Sequence, residues 1–116
     1  MQKPESAREI ISSLSERFQP EKAEAGYETV IHLKISGDRG GEFTVTVEDG
    51  KIKVEEGLLG DAKCVVSAKD SVYEDVEWER TNPQMAFLLG KVKVSDIGEM
   101  LDFAGLFHKC PEFYKS

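Results

Sequence analysis

The stretch Thr81-Asn82-Pro83-Gln84-Met85-Ala86-Phe87-Leu88-Leu89-Gly90-Lys91-Val92-Lys93-Val94 decides how this chain is read. Asn82 can cap a helix through its side-chain oxygen. Pro83 suits the first helical position, where its missing N–H is not needed. Met85, Phe87, Leu88 and Leu89 make the helix apolar nearly all round, so it must be buried or must face an apolar ligand. Gly90 supplies the left-handed backbone that ends it. Lys91-Val92-Lys93-Val94 then alternates as a strand, with lysines on one face and valines on the other. A short apolar helix therefore runs through one glycine into an amphipathic strand.

Upstream of this stretch, Asp70 is placed to cap a helix through about Arg80 that carries Val72, Tyr73, Val76 and Trp78. Its carboxylates Glu74, Asp75, Glu77 and Glu79 read as a solvated face, because an acid pair of the glycosidase type needs burial to raise one pKa. Downstream, Ser95 or Asp96 caps a last helix over about residues 97–107. Ile97, Met100, Leu101, Ala104 and Phe107 follow one stripe, and Phe103 and Leu106 extend it beyond what one sheet contact needs. Past Pro111, Phe113 and Tyr114 are aromatics in a tail that would normally be polar. That surplus must bury itself, fill a cavity or meet a partner.

The first half of the chain reads as a helix followed by a meander. Over residues 4–18, Ala7, Ile10, Ile11, Leu14 and Phe18 make one apolar stripe, and Pro20 ends the helix. A helix packed on a sheet is the first reading and a lid over a cavity the second. From Tyr27 the period changes to two: Tyr27, Thr29, Ile31, Leu33 and Ile35 share one face. Phe43, Val45 and Val47 alternate in the next strand, and Asp49-Gly50 signals a two-residue hairpin into Lys51–Glu55. The dry face of such a meander needs a cover of helices. Ala62–Ala68 reads as a fourth strand with Cys64, Val66 and Ala68 on one face. Before it, Gly57-Leu58-Leu59-Gly60 reads as a loop tucked into the core or as an apolar lip at a cavity mouth.

Composition narrows the function. The 116 residues suit one domain, spanning 1–116, with a single core. A net charge of −7 and a pI near 4.9 speak against nucleic acid and leave at most transient contact with a membrane. Cys64 and Cys110 form no CxxC pair and read as two thiols in a reducing compartment. No apolar run reaches the ~20 residues of a membrane span, and the first residues lack a signal-peptide pattern. The chain ends Phe-Tyr-Lys-Ser, not Ser-Lys-Leu, so a cytoplasmic location is expected. His32 lies on the polar face of its strand without a partner at ligand spacing. His108 and Cys110 are two ligands where a structural metal site wants four. No catalytic residue, metal or cofactor is expected.

Asn82-Pro83-Gln84, Ala86-Phe87 and Gly90-Lys91-Val92-Lys93-Val94, in that order, closely resemble the signature of the sterol carrier protein (type 2) domain. The resemblance runs from about residue 5 to residue 107. It departs at Glu79, where many relatives have glycine. It implies an α+β fold: a five-stranded, mostly antiparallel mixed sheet covered on one face by helices, in the order α-β-β-β-β-α-α-β-α. It also implies an apolar tunnel for fatty acyl chains, acyl-CoA or sterols, hence a non-enzymatic lipid binder or carrier. The expected lining is Trp78, Met85, Phe87, Leu88, Met100, Phe103, Leu106 and Phe107. The alternative is the same fold with a collapsed cavity, acting as an interaction or dimerisation domain through Phe103, Phe107, Phe113 and Tyr114.

Overall fold

The computed structural model describes residues 3–115. At its centre β1 (Thr29–Ser36) and β2 (Gly41–Glu48) pair antiparallel. Side chains alternate across a strand, so Thr29, Ile31, Leu33 and Ile35 of β1 bury on the same face as Phe43, Val45 and Val47 of β2. The Asp49-Gly50 turn, with φ of 54° and 71°, leads into β3 (Lys51–Glu56). On the other side of β1, β4 (Cys64–Lys69) runs parallel to it, and β5 (Val92–Val94) forms the far edge antiparallel to β4. The order β3-β2-β1-β4-β5 is a five-stranded mixed sheet, as the family resemblance implied.

Reaching β4 from β3 requires residues 57–63 to cross the sheet's outer face. Thr44 Oγ1 donates to the Gly57 carbonyl at 2.7 Å and accepts from the Leu59 amide at 2.8 Å. His32 Nε2 lies 3.0 Å from the Leu59 carbonyl, and the Lys63 amide donates to Val30. The Gly57–Gly60 loop is therefore neither in the core nor at a cavity mouth, contrary to both sequence readings. Its peptide groups find partners on the polar face, and Leu58 and Leu59 are left exposed.

The dry face is covered by α1 (Ala7–Ser12), α2 (Leu14–Arg17) and α3 (Asp70–Glu77), then α4 (Pro83–Leu88), α5 (Ile97–Ala104) and α6 (Cys110–Phe113). The single helix expected over residues 4–18 is two, interrupted at Ser13, whose hydroxyl donates to the Ile10 carbonyl at 2.6 Å. Its apolar stripe buries as read, against the sheet. Ser6 and Glu9 form a capping box at its start.

Two buried ionic groups pin this layer. Glu74, 6% exposed, accepts the Ala7 amide at 2.9 Å and both Nε and Nη2 of Arg39 at 2.9 and 3.1 Å. Asp70 accepts the amides of Arg39 and Ser71 at 3.0 and 2.7 Å. Lys69, not Asp70, is therefore the helix cap. A side chain at Gly37 (φ 99°) would run into the Asp70 carboxylate. The solvated face expected for α3 thus holds only for Asp75 and Glu79, which pair with Arg80 and Lys109 at the surface.

The second group is Arg17, 1% exposed. It donates to Ser13 Oγ and to the carbonyls of Ile10 and His108 at 3.0–3.2 Å, and lies 3.5 Å from Glu77. Burial pushes the Glu77 carboxyl up and Arg17 opposes that. The C-terminal segment docks here: Tyr114 is buried, donates to Glu16 at 2.9 Å and packs against Trp78 and Phe113. Cys64 and Cys110 are both buried free thiols. Among the described residues no helix is long and apolar enough to cross a membrane.

Replacing Arg17 by Met should lower stability by about 2–4 kcal/mol, because buried acceptors and Glu77 lose their donor. A urea midpoint shift at unchanged m-value measures it. Asp70 is held below the usual carboxylate range, chiefly by the Arg39 amide. Its contribution is present above about pH 3.9 and is lost as pH falls through the lowered folded value. Asp70→Asn should therefore be less stable than the parent at neutral pH, with the difference closing below about pH 4. Denaturant midpoints across the acid range test the sign.

Candidate functional site

The helix that opens the deciding stretch is placed by its two ends. At its start Asn82 Oδ1 accepts the amides of Gln84 and Met85 at 2.8 and 3.3 Å, with Pro83 in the first turn. Just before it, Glu79 stands at φ 57°, and Arg80 donates back to the Asp75 carbonyl at 2.8 Å, closing α3. Glu79 thus takes the left-handed conformation that glycine adopts without cost. At the other end Gly90 has φ 75°.

Between these ends α4 is not buried. Only Ala86 is enclosed, while Met85, Phe87 and Leu88 are exposed, Leu88 by 75%. The fully packed helix is the reading that fails. A helix joined to the edge strand by only Leu89, Gly90 and Lys91 can reach the sheet with one side only, and its remaining apolar surface borders open space.

α5 is turned differently from its sequence reading. Asp96 caps it by accepting the Glu99 amide at 3.0 Å. Tyr27 donates to the Glu99 carboxylate at 3.1 Å, tying that side of the helix to the start of β1. Burial first, then Glu99, pushes the Tyr27 hydroxyl up to about 12, so it stays a donor at neutral pH. Phe103, four residues on, shares the face of Glu99 and is buried, as is Leu106 beyond the helix end. The stripe begun by Ile97 and Leu101 therefore faces away from the core, Leu101 being 68% exposed.

These two rotations leave a cavity of about 450 Å³ between α4, α5 and the β4–β5 end of the sheet. Val66, Val92 and Val94 form its floor, from the dry faces of β4 and β5. Phe87 and Leu88 make one wall, with Pro83 and Gln84 beside them. Ile97, Met100 and Leu101 make the other, and Val76 of α3 reaches its end. Gln84 is its one polar lining residue, and no lining side chain titrates. Its volume lies in the small-molecule range of roughly 300–1,000 Å³.

Of the eight residues named from the sequence, Phe87, Leu88 and Met100 line this cavity. Met85 is on the same helix but outside the lining. Phe103 and Leu106 belong to the main core, and Phe107 packs on Phe18 and Phe103. Trp78 donates to the Pro4 carbonyl at 2.8 Å and packs on Tyr114. The valines at 92 and 94 were visible as an alternating pair, yet only the pairing of β5 at the sheet edge shows what they face. Ile97 and Leu101 were visible as a stripe whose direction was misread. Among the described residues no three His, Cys, Asp or Glu side chains group as metal ligands.

A family model described as the SCP-2 sterol transfer family matches residues 9–108. The chain belongs to that family. Its members' fold recurs in solved structures of low sequence identity. One is the stereoselective inverting sec-alkylsulfatase Pisa1 from Pseudomonas sp., with a TM-score of 0.75 at 17% identity, covering 87% of this chain and 16% of that one. The chain thus spans about one sixth of that enzyme's length. The ubiquinone synthesis protein UbiJ-SCP2 superposes with a TM-score of 0.65 at 19% identity, covering 86% of each chain. A palmitated sterol carrier protein, SCP2L2 from Aedes aegypti, gives 0.60 at 18%, covering 86% of this chain and 94% of that one. No curated protein matches the sequence. SCP-2 membership places the chain in a family of non-catalytic lipid-binding domains.

Glu79→Gly should raise stability by about 0.5–1 kcal/mol, since relief of the left-handed strain exceeds the added chain entropy. A thermal or urea midpoint below the parent's would show that the Lys109 pair matters more than the backbone.

Proposed function

We propose that residues 1–116 act as one lipid-binding domain in the cytoplasm, holding the aliphatic part of one fatty acyl or sterol-like molecule between α4, α5 and the sheet. The observation that carries this is a cavity of about 450 Å³ whose lining holds a single polar side chain, Gln84. The exposed apolar side chains at its rim add to it: Leu88 of α4 and Leu101 of α5 both line it and are largely uncovered. Membership of a sterol transfer family and the fold shared with a palmitated carrier support the same reading.

Burial energy is sufficient without catalytic groups. At about 0.8 kcal/mol per methylene, enclosing a chain of roughly 16 carbons gains on the order of 12 kcal/mol, set against association costs of about 4–15. The cavity offers nothing to a reacting bond, having neither nucleophile, acid nor metal ligand in its lining. Carriage of the bound molecule from one site to another follows from reversible burial of this kind. In this reading Phe87, Leu88 and Met100 touch the ligand. Phe103, buried in the core, supports the wall from behind.

Protein purified under native conditions should yield close to one aliphatic lipid per chain on solvent extraction and mass spectrometry. Leu88→Asp and Leu101→Asp, at exposed positions, should leave the unfolding midpoint within about 0.5 kcal/mol of the parent. Each should weaken binding of a fluorescent fatty acid by tenfold or more. An empty extract together with no displaceable probe binding would instead make the α4–α5 rim a protein-interaction face.

A further inference from the structure

We propose that the outer face of β5 carries an oxyanion site, built to hold a phosphate or sulfate group on the same molecule whose aliphatic part lies in the cavity. This rests on the cavity reading above and names the class of ligand. The second recess it uses, of about 400 Å³, lies across the sheet from the cavity, along the strand ends of β1, β4 and β5. Its lining includes Lys34, Lys91 and Lys93, with Ser36, Ser67 and one carboxylate, Glu42.

Register explains the shape. Glu42, Lys34, Ser67 and Lys93 stand in one row across four adjacent strands, all on the outer face. Neighbouring strands are about 4.8 Å apart, so Lys34 and Lys93 stand roughly 10 Å apart with the short Ser67 between them. A small residue flanked by two long cationic ones makes a trough with ammonium groups on both banks. Lys91 adds a third at its end. The chain carries 22 acidic residues against 15 basic ones, yet among the described residues none of these three lysines lies within 4 Å of a carboxylate. Glu42 shares the row without closing an ion pair with Lys34. Three lysines lining one recess, none within 4 Å of a carboxylate among the described residues, suit a compact, multiply charged oxyanion.

The two recesses meet at one segment. Leu88, Val92 and Val94 border the cavity, and Gly90, Lys91 and Lys93 border the trough. β5 is the edge strand, so nothing beyond it in the sheet separates the two faces. At the corner stands Gly90, where a side chain would meet nothing within 4 Å. An amphiphile can thus lie with its chain against the valines and its head over the lysines, bent round the strand at the glycine. This gives the alternating Lys-Val-Lys-Val segment one task for each face.

The test compares hexadecyl phosphate, hexadecyl sulfate, hexadecanol and inorganic phosphate by calorimetry, on the parent and on Lys91→Gln/Lys93→Gln. Both lysines are exposed, so the variant should fold, which its unfolding midpoint checks. The parent should bind the anionic amphiphiles about tenfold more tightly than the alcohol. That preference should shrink at high salt and in the variant, while hexadecanol affinity stays put. Equal affinity for anionic and neutral amphiphiles in the parent, or a preference the variant retains, overturns the proposal and leaves the cavity reading intact. If no alkyl compound binds, the cavity reading fails and the single-ligand proposal fails with it. Inorganic phosphate then separates the sources: binding lost in the variant would mean a site for free phosphate alone.

Discussion

Glu74 is a carboxylate with three N–H groups around it, and the rest of the molecule is arranged from that point. One donor comes from the first turn of α1 and two from Arg39 in the β1–β2 turn, while Glu74 itself belongs to α3. A buried charge is tolerated only when its hydrogen bonds are satisfied, so these three elements cannot separate without exposing it to a large desolvation cost. Asp70 reinforces the same corner, taking the Arg39 amide where only glycine fits at position 37. The helical cover is therefore anchored over β1 and β2. At the opposite end, over β4 and β5, α4 and α5 are set off from the sheet, and the cavity lies between them.

Much of this was legible in the sequence. The strands showed as alternation because one sheet face is dry and the other wet, and the caps at Asn82 and Asp96 and the stop at Gly90 are local signals that act within a turn. Glu79 departs from the glycine that the resemblance implies, and its backbone is left-handed, at a modest cost in strain.

What could not be read depends on partners distant in the chain. The face that α5 turns inward is set by Tyr27 bonding Glu99, some seventy residues away in sequence, and periodicity gives a stripe without saying which way it points. The burial of Arg17 likewise depends on acceptors remote in the chain, at His108 and Glu77. The Gly57–Gly60 loop was misjudged because its leucines drew the eye, whereas its peptide groups decide its path over Thr44 and His32. For the candidate site the result is partial. Phe87, Leu88 and Met100 came from apolar surplus on α4 and α5, but the floor of valines needed the sheet order.

The brevity of β5 has a kinetic meaning. A strand of three residues, joined through Leu89, Gly90 and Lys91 to a helix of six, is held by few ladder bonds and by a cap at Asn82. Segments of that kind open locally at a fraction of the free energy needed to unfold the anchored half. The wall of the cavity can therefore loosen while Glu74 and Arg17 keep the remainder closed. On the proposed reading, the residence time of a bound lipid follows the fraying of one short wall, and tight burial need not mean slow release.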